Sequence, residues 1–244
     1  AEARRRQVTD AMGHGVTLEH NIAPPRRSVR VLRLAAVAFL IIALAGPQFG
    51  IELVETRSSA RQAVIAVDVS LSMLTPDIKP NRLERAKSSL SLLIDQLSGE
   101  RIGVVAFAGD AQTICPLTQD ADAAKQLLGA LDIGAVPTPG SAIGNALRTS
   151  VALLGRYPGG KAVVLLTDGE DHKSDPLGAA REAAAAGVQV YTVGIGTPDG
   201  EPIPDNSGTY HKNEKGGTVV SRLNEGMLAQ IAQETGGAYY RTTP

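Results

Sequence analysis

A single cysteine, Cys115, stands in a chain of 244 residues, so no internal disulfide can form and a thiol-rich metal centre is excluded. Its expected place is inside a strand, as a small buried hydrophobe. Aromatic residues make up only 3% of the chain, which removes the stacking platforms that single-stranded nucleic acids use. The four histidines, His14, His20, His172 and His211, lack the spacing of a zinc site. They also make a hydrolase triad a poor reading, because the first two precede a long apolar run and the others sit in charged, solvated stretches. No excess charge of one sign is present, the net being −1. Seven arginines before residue 34, against Glu2, Asp10 and Glu19, give +4 there and leave −5 in the remainder. That balance argues against a phosphate-binding surface for nucleic acid. Internal repeats are absent too. What is there, a hydrophobic content of 43%, suits one packed domain of ordinary size with an appendage.

The appendage comes first. Residues 1–30 read as a basic cytoplasmic segment ending in Pro24-Pro25-Arg26-Arg27-Ser28. An unbroken apolar run then extends from Leu34 to Gly46, and from Val31 to Phe49 the stretch counts 19 residues, with Arg33 able to snorkel. It is expected to be a transmembrane helix over 31–49. A signal-peptide hydrophobic region ending near Ala43-Leu44-Ala45 is the competing reading, and a buried soluble helix the third. Under the first two, positive flanks stay inside, so everything after Phe49 is expected outside the cytoplasm.

From Ala63 onward short apolar runs alternate with amphipathic stretches, the pattern of a mostly parallel sheet covered by helices. Strands are predicted at Ala63–Val67, Arg101–Ala108, Thr113–Leu117, Ala162–Thr167, Val188–Ile195 and Ala238–Arg241. Helices are predicted at Arg82–Leu97, Asp120–Leu131, Ala142–Leu154, Pro176–Ala186 and Leu223–Thr235. The second and third strands, joined only around Gly109-Asp110, should form an antiparallel hairpin. The expected fold is a doubly wound α/β domain with a six-stranded, mostly parallel sheet over residues 60–243. Between Gly196 and Thr218 the pattern lapses, as in a functional loop or a small excursion.

Chemistry concentrates where strands end. The run Ala63–Val67 leads straight into Asp68-Val69-Ser70-Leu71-Ser72. In an open α/β sheet, ligands bind beyond the carboxyl ends of the strands. One carboxylate and two hydroxyls are the hard oxygen donors that Mg²⁺ accepts while keeping several waters. The bland alternative is that Asp68 and Ser70 merely cap a helix. Asp168 follows a second buried strand, with Gly169 able to turn the backbone away. Ser141 opens a helix after Pro137-Thr138-Pro139-Gly140, where a simple N-cap is again the alternative reading. Glu170 and Asp171 read as a solvated acidic loop.

These three segments, Asp68-Val69-Ser70-Leu71-Ser72, Ser141-Ala142-Ile143-Gly144-Asn145-Ala146-Leu147 and Thr167-Asp168-Gly169, resemble the metal-ion-dependent adhesion site (MIDAS) of von Willebrand factor A domains. The resemblance implies that Ser70 and Ser72 ligate Mg²⁺ or Mn²⁺ directly, that Asp68 acts chiefly through water, and that Asp168 acts from behind these ligands. The family usually has Thr where Ser141 stands; Ser keeps the oxygen but loses the methyl that restricts the rotamer, so a looser site is expected. Further matches, Met73-Leu74-Thr75-Pro76-Asp77, Arg101 to Gly109, Pro116 to Asp120 and Gly200-Glu201-Pro202-Ile203-Pro204, resemble the bacterial Bat subfamily, which is membrane-anchored and linked to aerotolerance. This implies an inner-membrane protein whose A domain is periplasmic and whose partner supplies an acidic residue to the metal. It further implies Bat-type relatives and a MoxR-type AAA+ ATPase as associates, and flanking membrane helices beyond Ala1 and Pro244.

An interaction module rather than an enzyme is therefore expected. A metal-dependent phosphatase with Asp68 as nucleophile would want a second Asp two residues on, where Ser70 stands, and no Gly-x-x-x-x-Gly-Lys-Ser/Thr loop occurs. A structural complex subunit with a vestigial metal site is the other alternative.

Overall fold

The computed structural model describes residues 26–44, 61–155, 157–171, 174–205, 209–213 and 215–242. The chain divides into two units, Ala1–Glu55 and Thr56–Pro244. The described part of the first unit is one helix, α1, Arg26–Leu44. It starts earlier than the apolar stretch, and its 19 residues include four arginines. Its arginine-free part, Leu34–Leu44, extends only about 17 Å at 1.5 Å per residue, against a hydrocarbon core of roughly 30 Å. Among the described residues, accordingly, no helix is long and apolar enough to cross a membrane. Residues 45–49 of the expected span lie outside those described.

The second unit is built on β1 (Gln62–Asp68), every residue of which is buried. Side chains alternate across a strand, so Ile65 and Val67 enter one hydrophobic cluster while Val64 and Ala66 enter another on the opposite face. A strand covered on both faces reads as a continuous apolar run, which is why Ala63–Val67 shows no alternation. Parallel neighbours β2 (Arg101–Phe107) and β4 (Lys161–Thr167) flank it. β3 (Ala111–Thr118) pairs antiparallel with β2, while β5 (Val188–Gly194) and β8 (Tyr239–Arg241) extend the parallel side. The sheet is six-stranded, in the order β3-β2-β1-β4-β5-β8. Cys115 lies buried in β3, and burial raises its thiol pKa.

Helices α2 (Arg82–Gln96) and α3 (Ala121–Gly129) cover one face; α4 (Ile143–Leu154), α5 (Pro176–Ala185) and α6 (Glu225–Glu234) cover the other. Four of these helices begin on a side-chain cap, from Asn81, Asp120, Asp175 and Asn224. Helix α4 does not: its N-cap residue is Ala142.

The lapse after Gly196 is an excursion from the sheet. A two-stranded ribbon, β6 (Glu201–Pro202) with β7 (Val220–Ser221), closes its base, and bridges Pro204–Tyr210 and Lys212–Thr218 continue it. The chain leaves β1 toward β2 and β3, then crosses back to enter β4 on the other side. The crevice between the carboxyl ends of β1 and β4 is therefore the topological switch point, where this class of sheet binds ligands.

Candidate metal centre

Asp68 closes β1 with its side chain fully buried. Its Oδ1 accepts the Ser70 N–H at 2.9 Å; its Oδ2 accepts the Thr167 hydroxyl at 2.6 Å and the Ser141 hydroxyl at 3.3 Å. The turn this creates runs into a 3₁₀ helix, Leu71–Leu74. Ser70 stands at its N-cap but makes no side-chain cap bond; its Oγ lies 3.0 Å from Ser72 Oγ instead. The capping reading of these residues is therefore set aside. Ser141 likewise turns its hydroxyl toward Asp68 rather than capping α4.

The cap that α4 lacks locally arrives from across the crevice. Asp171 Oδ2 accepts the Ile143 N–H at 2.8 Å, and Ser174 Oγ accepts the Gly144 N–H at 2.8 Å. Asp171 also accepts the Ser174 hydroxyl and, at 2.8 Å, its N–H. Asp171 is thus half-buried and structural, not a solvated acid as its sequence context implied. Glu170 is engaged too, its Oε1 accepting the Arg222 N–H at 2.8 Å.

Asp168, after β4, is fully buried and satisfied by protein donors. Its Oδ1 accepts the Glu170 N–H at 3.1 Å; its Oδ2 accepts the Ser221 hydroxyl at 2.9 Å and Arg82 Nη1 at 3.2 Å. Gly169 then turns away at φ 79, and a Cβ there would meet the Asn224 carbonyl oxygen at 2.8 Å, so no side chain fits. Burial first, and the charge of Asp168 second, push the Asp68 carboxyl up to about 7, against hydrogen bonds from Ser70 and Thr167 that pull it down.

Sequence reading gave no role to Arg82 or Thr167. Arg82 is the largest fully buried side chain of the domain. Its Nε and Nη2 donate to Asp77 at 2.9 and 2.7 Å, while Nη1 donates to Asp168 and, at 2.7 Å, to Ser221 Oγ. Gly196, at φ 133, lets the backbone pass the guanidinium, which a Cβ would approach to 2.9 Å. The available signal was the Thr167-Asp168 pair: a hydroxyl at the last residue of a buried strand faces the same crevice as its neighbour across the sheet. His211 is half-buried beside the crevice rather than exposed; His14, His20 and His172 lie outside the described residues.

The donor set suits a small hard cation. Around an octahedral ion with ligands at 2.0–2.1 Å, adjacent oxygens lie about 2.9 Å apart, close to the 3.0 Å between the Ser70 and Ser72 hydroxyls. Among the described residues, no cluster of three or more His, Cys, Asp or Glu is placed to hold a metal. The centre is rich in hydroxyls and carries two carboxylates, which favours a cation that keeps water over one that seeks a closed protein cage. A cavity of about 570 Å³ lies directly over Ser70, Ser72 and Ser141. A second, of about 690 Å³, lies at the amino ends of β1 and β4 and contains none of these residues.

Comparison with known proteins places this geometry. Residues 63–170, from β1 to just past β4, match the family described as the von Willebrand factor type A domain. A UPF0353 protein of Nocardia farcinica is 31% identical over 236 residues, 89% of this chain and 68% of that protein. The chain belongs to the UPF0353 family and carries a von Willebrand factor type A domain. Among solved structures, this A-domain protein is similar to BatB from Bacteroides thetaiotaomicron, at 39% identity and a TM-score of 0.71, over 74% of this chain and 89% of that one. It is equally similar to an aerotolerance-related membrane protein from Bacteroides fragilis, at 38% identity and 0.71, over 75% and 91%. The A domain here is thus Bat-like, with a mostly parallel six-stranded sheet flanked by helices.

Proposed function

We propose that this Bat-like A domain is a divalent-metal-dependent protein-interaction module with no catalytic role. The observation that carries the reading is the convergence of Asp68, Ser70, Ser72 and Ser141 on one crevice, with two hydroxyl oxygens spaced as one edge of a small cation's coordination shell. Ser70, Ser72 and Ser141 would hold Mg²⁺ or Mn²⁺ through their hydroxyls and Asp68 through water, with Asp168 acting from behind these ligands. Bound there, the ion supplies an open position and uncompensated positive charge, which a partner's carboxylate fills. The chain's own work is to orient: Thr167 and the Ser70 N–H fix Asp68, and Arg82 with Ser221 fixes Asp168.

The module is proposed to sit on the extracytoplasmic side of a bacterial inner membrane, in an envelope complex connected with aerotolerance. Residues 31–49 would anchor it. The exposed apolar side chains of α1, among them Leu32, Phe39 and Leu44, support that placement, and the arginines ahead of them support an amino end left in the cytoplasm. Other Bat-type A domains are the proposed partners outside; a MoxR-type AAA+ ATPase, being cytoplasmic, would meet only the basic segment. The test is affinity capture from solubilised membranes, with Mg²⁺ or with chelator, using wild type beside Asp68→Ala. A protein retained only by the wild type, and only with Mg²⁺, is expected. Identical retention in all four arms would overturn the proposal.

A further inference from the structure

The cavity over the candidate centre has two walls, and we propose that it is a docking groove for a partner segment whose acidic residue is flanked by an aliphatic one. This rests on the metal-dependent reading above. One wall belongs to the connection between α3 and α4 and presents Ile133, Pro137 and Pro139; the other belongs to the excursion and presents Val219. Between the two serines in sequence stands Leu71, 42% exposed and lining the same cavity. An interaction site built for a carboxylate alone has no use for aliphatic walls.

Charge points the same way. The hydroxyl-lined floor is the cation's place, and Lys212, exposed on the excursion, lines the cavity beside it. Glu170 also lines it, with its Oε1 held by the Arg222 N–H. A cationic floor with aliphatic sides complements an acidic side chain carried next to an aliphatic one. A wholly acidic segment leaves the walls unfilled, and a wholly apolar one leaves the positive charge unmet.

The excursion wall is fastened to the centre at both its roots. Asp77 Oδ2 accepts the Thr197 N–H at 2.9 Å and its hydroxyl at 3.1 Å, where the excursion leaves the sheet. Ser221, where it returns, receives Arg82 Nη1 and donates to Asp168. One buried guanidinium therefore ties Asp77, Asp168 and Ser221 together, so the wall is set in place before any partner arrives. Within the excursion, the His211 N–H donates to the Ile203 carbonyl and the Val219 N–H to the His211 carbonyl, which stiffens the face that Val219 presents.

The test titrates two peptides, acetyl-Gly-Asp-Gly-amide and acetyl-Leu-Asp-Leu-amide, into the Mn²⁺-loaded chain, with and without chelator. Binding is read by Mn²⁺-enhanced water relaxation and by amide shifts. The leucine peptide is expected to bind about ten-fold tighter or better, the value of one partly buried aliphatic side chain. Val219→Asp and, separately, Leu71→Ser are expected to erase that preference, with each variant's Mn²⁺ affinity reporting whether its centre is intact. Equal affinities, or binding of neither peptide to a Mn²⁺-loaded chain, would overturn the groove. Failure to bind Mn²⁺, or peptide binding indifferent to chelator, would instead overturn the metal-dependent reading beneath it.

Discussion

Arg82 Nη1 donates to Asp168 Oδ2 across 3.2 Å, with neither side chain exposed to solvent. Removing the cation leaves a buried carboxylate without its partner, a change that costs about 3–5 kcal/mol. Arg82→Met is therefore expected to lower unfolding free energy by that amount in urea titrations. Arg82→Lys restores the charge but cannot serve Asp77, Asp168 and Ser221 at once, so it should recover only part of the loss. A loss below about 1 kcal/mol in the Met variant would show that the pair is dispensable.

Asp171 caps α4 from the loop after β4, and Ser141 stands just ahead of that helix's first turn. Asp171→Ala should cost about 1 kcal/mol of stability, as for other lost caps. It should also weaken Mn²⁺ binding, since the Ser141 hydroxyl loses the frame that points it at Asp68. Unfolding and calorimetric titration on the same variant check both. Lost stability with unchanged affinity would separate the cap from the centre.

The resemblance of this site to those of von Willebrand factor A domains implies threonine at the place of Ser141. Ser141→Thr restores the methyl that limits the rotamer, and is expected to tighten Mn²⁺ binding by roughly two-fold, the scale of partial side-chain ordering. Weaker binding would mean that the buried position has no room for the methyl.

The Asp68 carboxyl, pushed up to about 7 by burial and by Asp168, sets a pH dependence. Its folded pKa exceeds its unfolded value of 3.8, so the native state keeps a proton that the unfolded chain releases. This group's contribution to stability is complete below about pH 4 and is lost as pH rises through about 7. Without divalent ions, this group makes the domain less stable at about pH 8 than at about pH 5. Metal binding needs the ionised carboxylate, so Mg²⁺ should raise the melting temperature more at the higher pH. Thermal unfolding at both values, with Mg²⁺ and with chelator, measures the difference; an equal Mg²⁺ effect at both would contradict it.

The fold was legible because its strands are buried on both faces and its helices carry one apolar stripe, as in Leu83, Ala86, Leu90 and Ile94 of α2. Asp68, Ser70, Ser72 and Asp168 could be read because each follows a buried strand. What surrounds them could not. Arg82 opens an amphipathic helix, a position that normally faces water, and only the fold brings Asp168 and Ser221 to it. Asp171 caps a helix that begins 28 residues earlier in sequence, at Ile143. The ribbon strands β6 and β7 are two residues each, too short for any alternation to register. The helix at the amino end differs for a simpler reason: the arginines read as its flank lie within it.

The most direct test of the central claim is calorimetric titration of Mg²⁺ and Mn²⁺ into the full chain, wild type beside Asp68→Ala, at about pH 8 where the carboxylate is ionised. One saturable site is expected in the wild type and none in the variant. Equal heats in both, or no binding in the wild type even with a carboxylate peptide present, would contradict it.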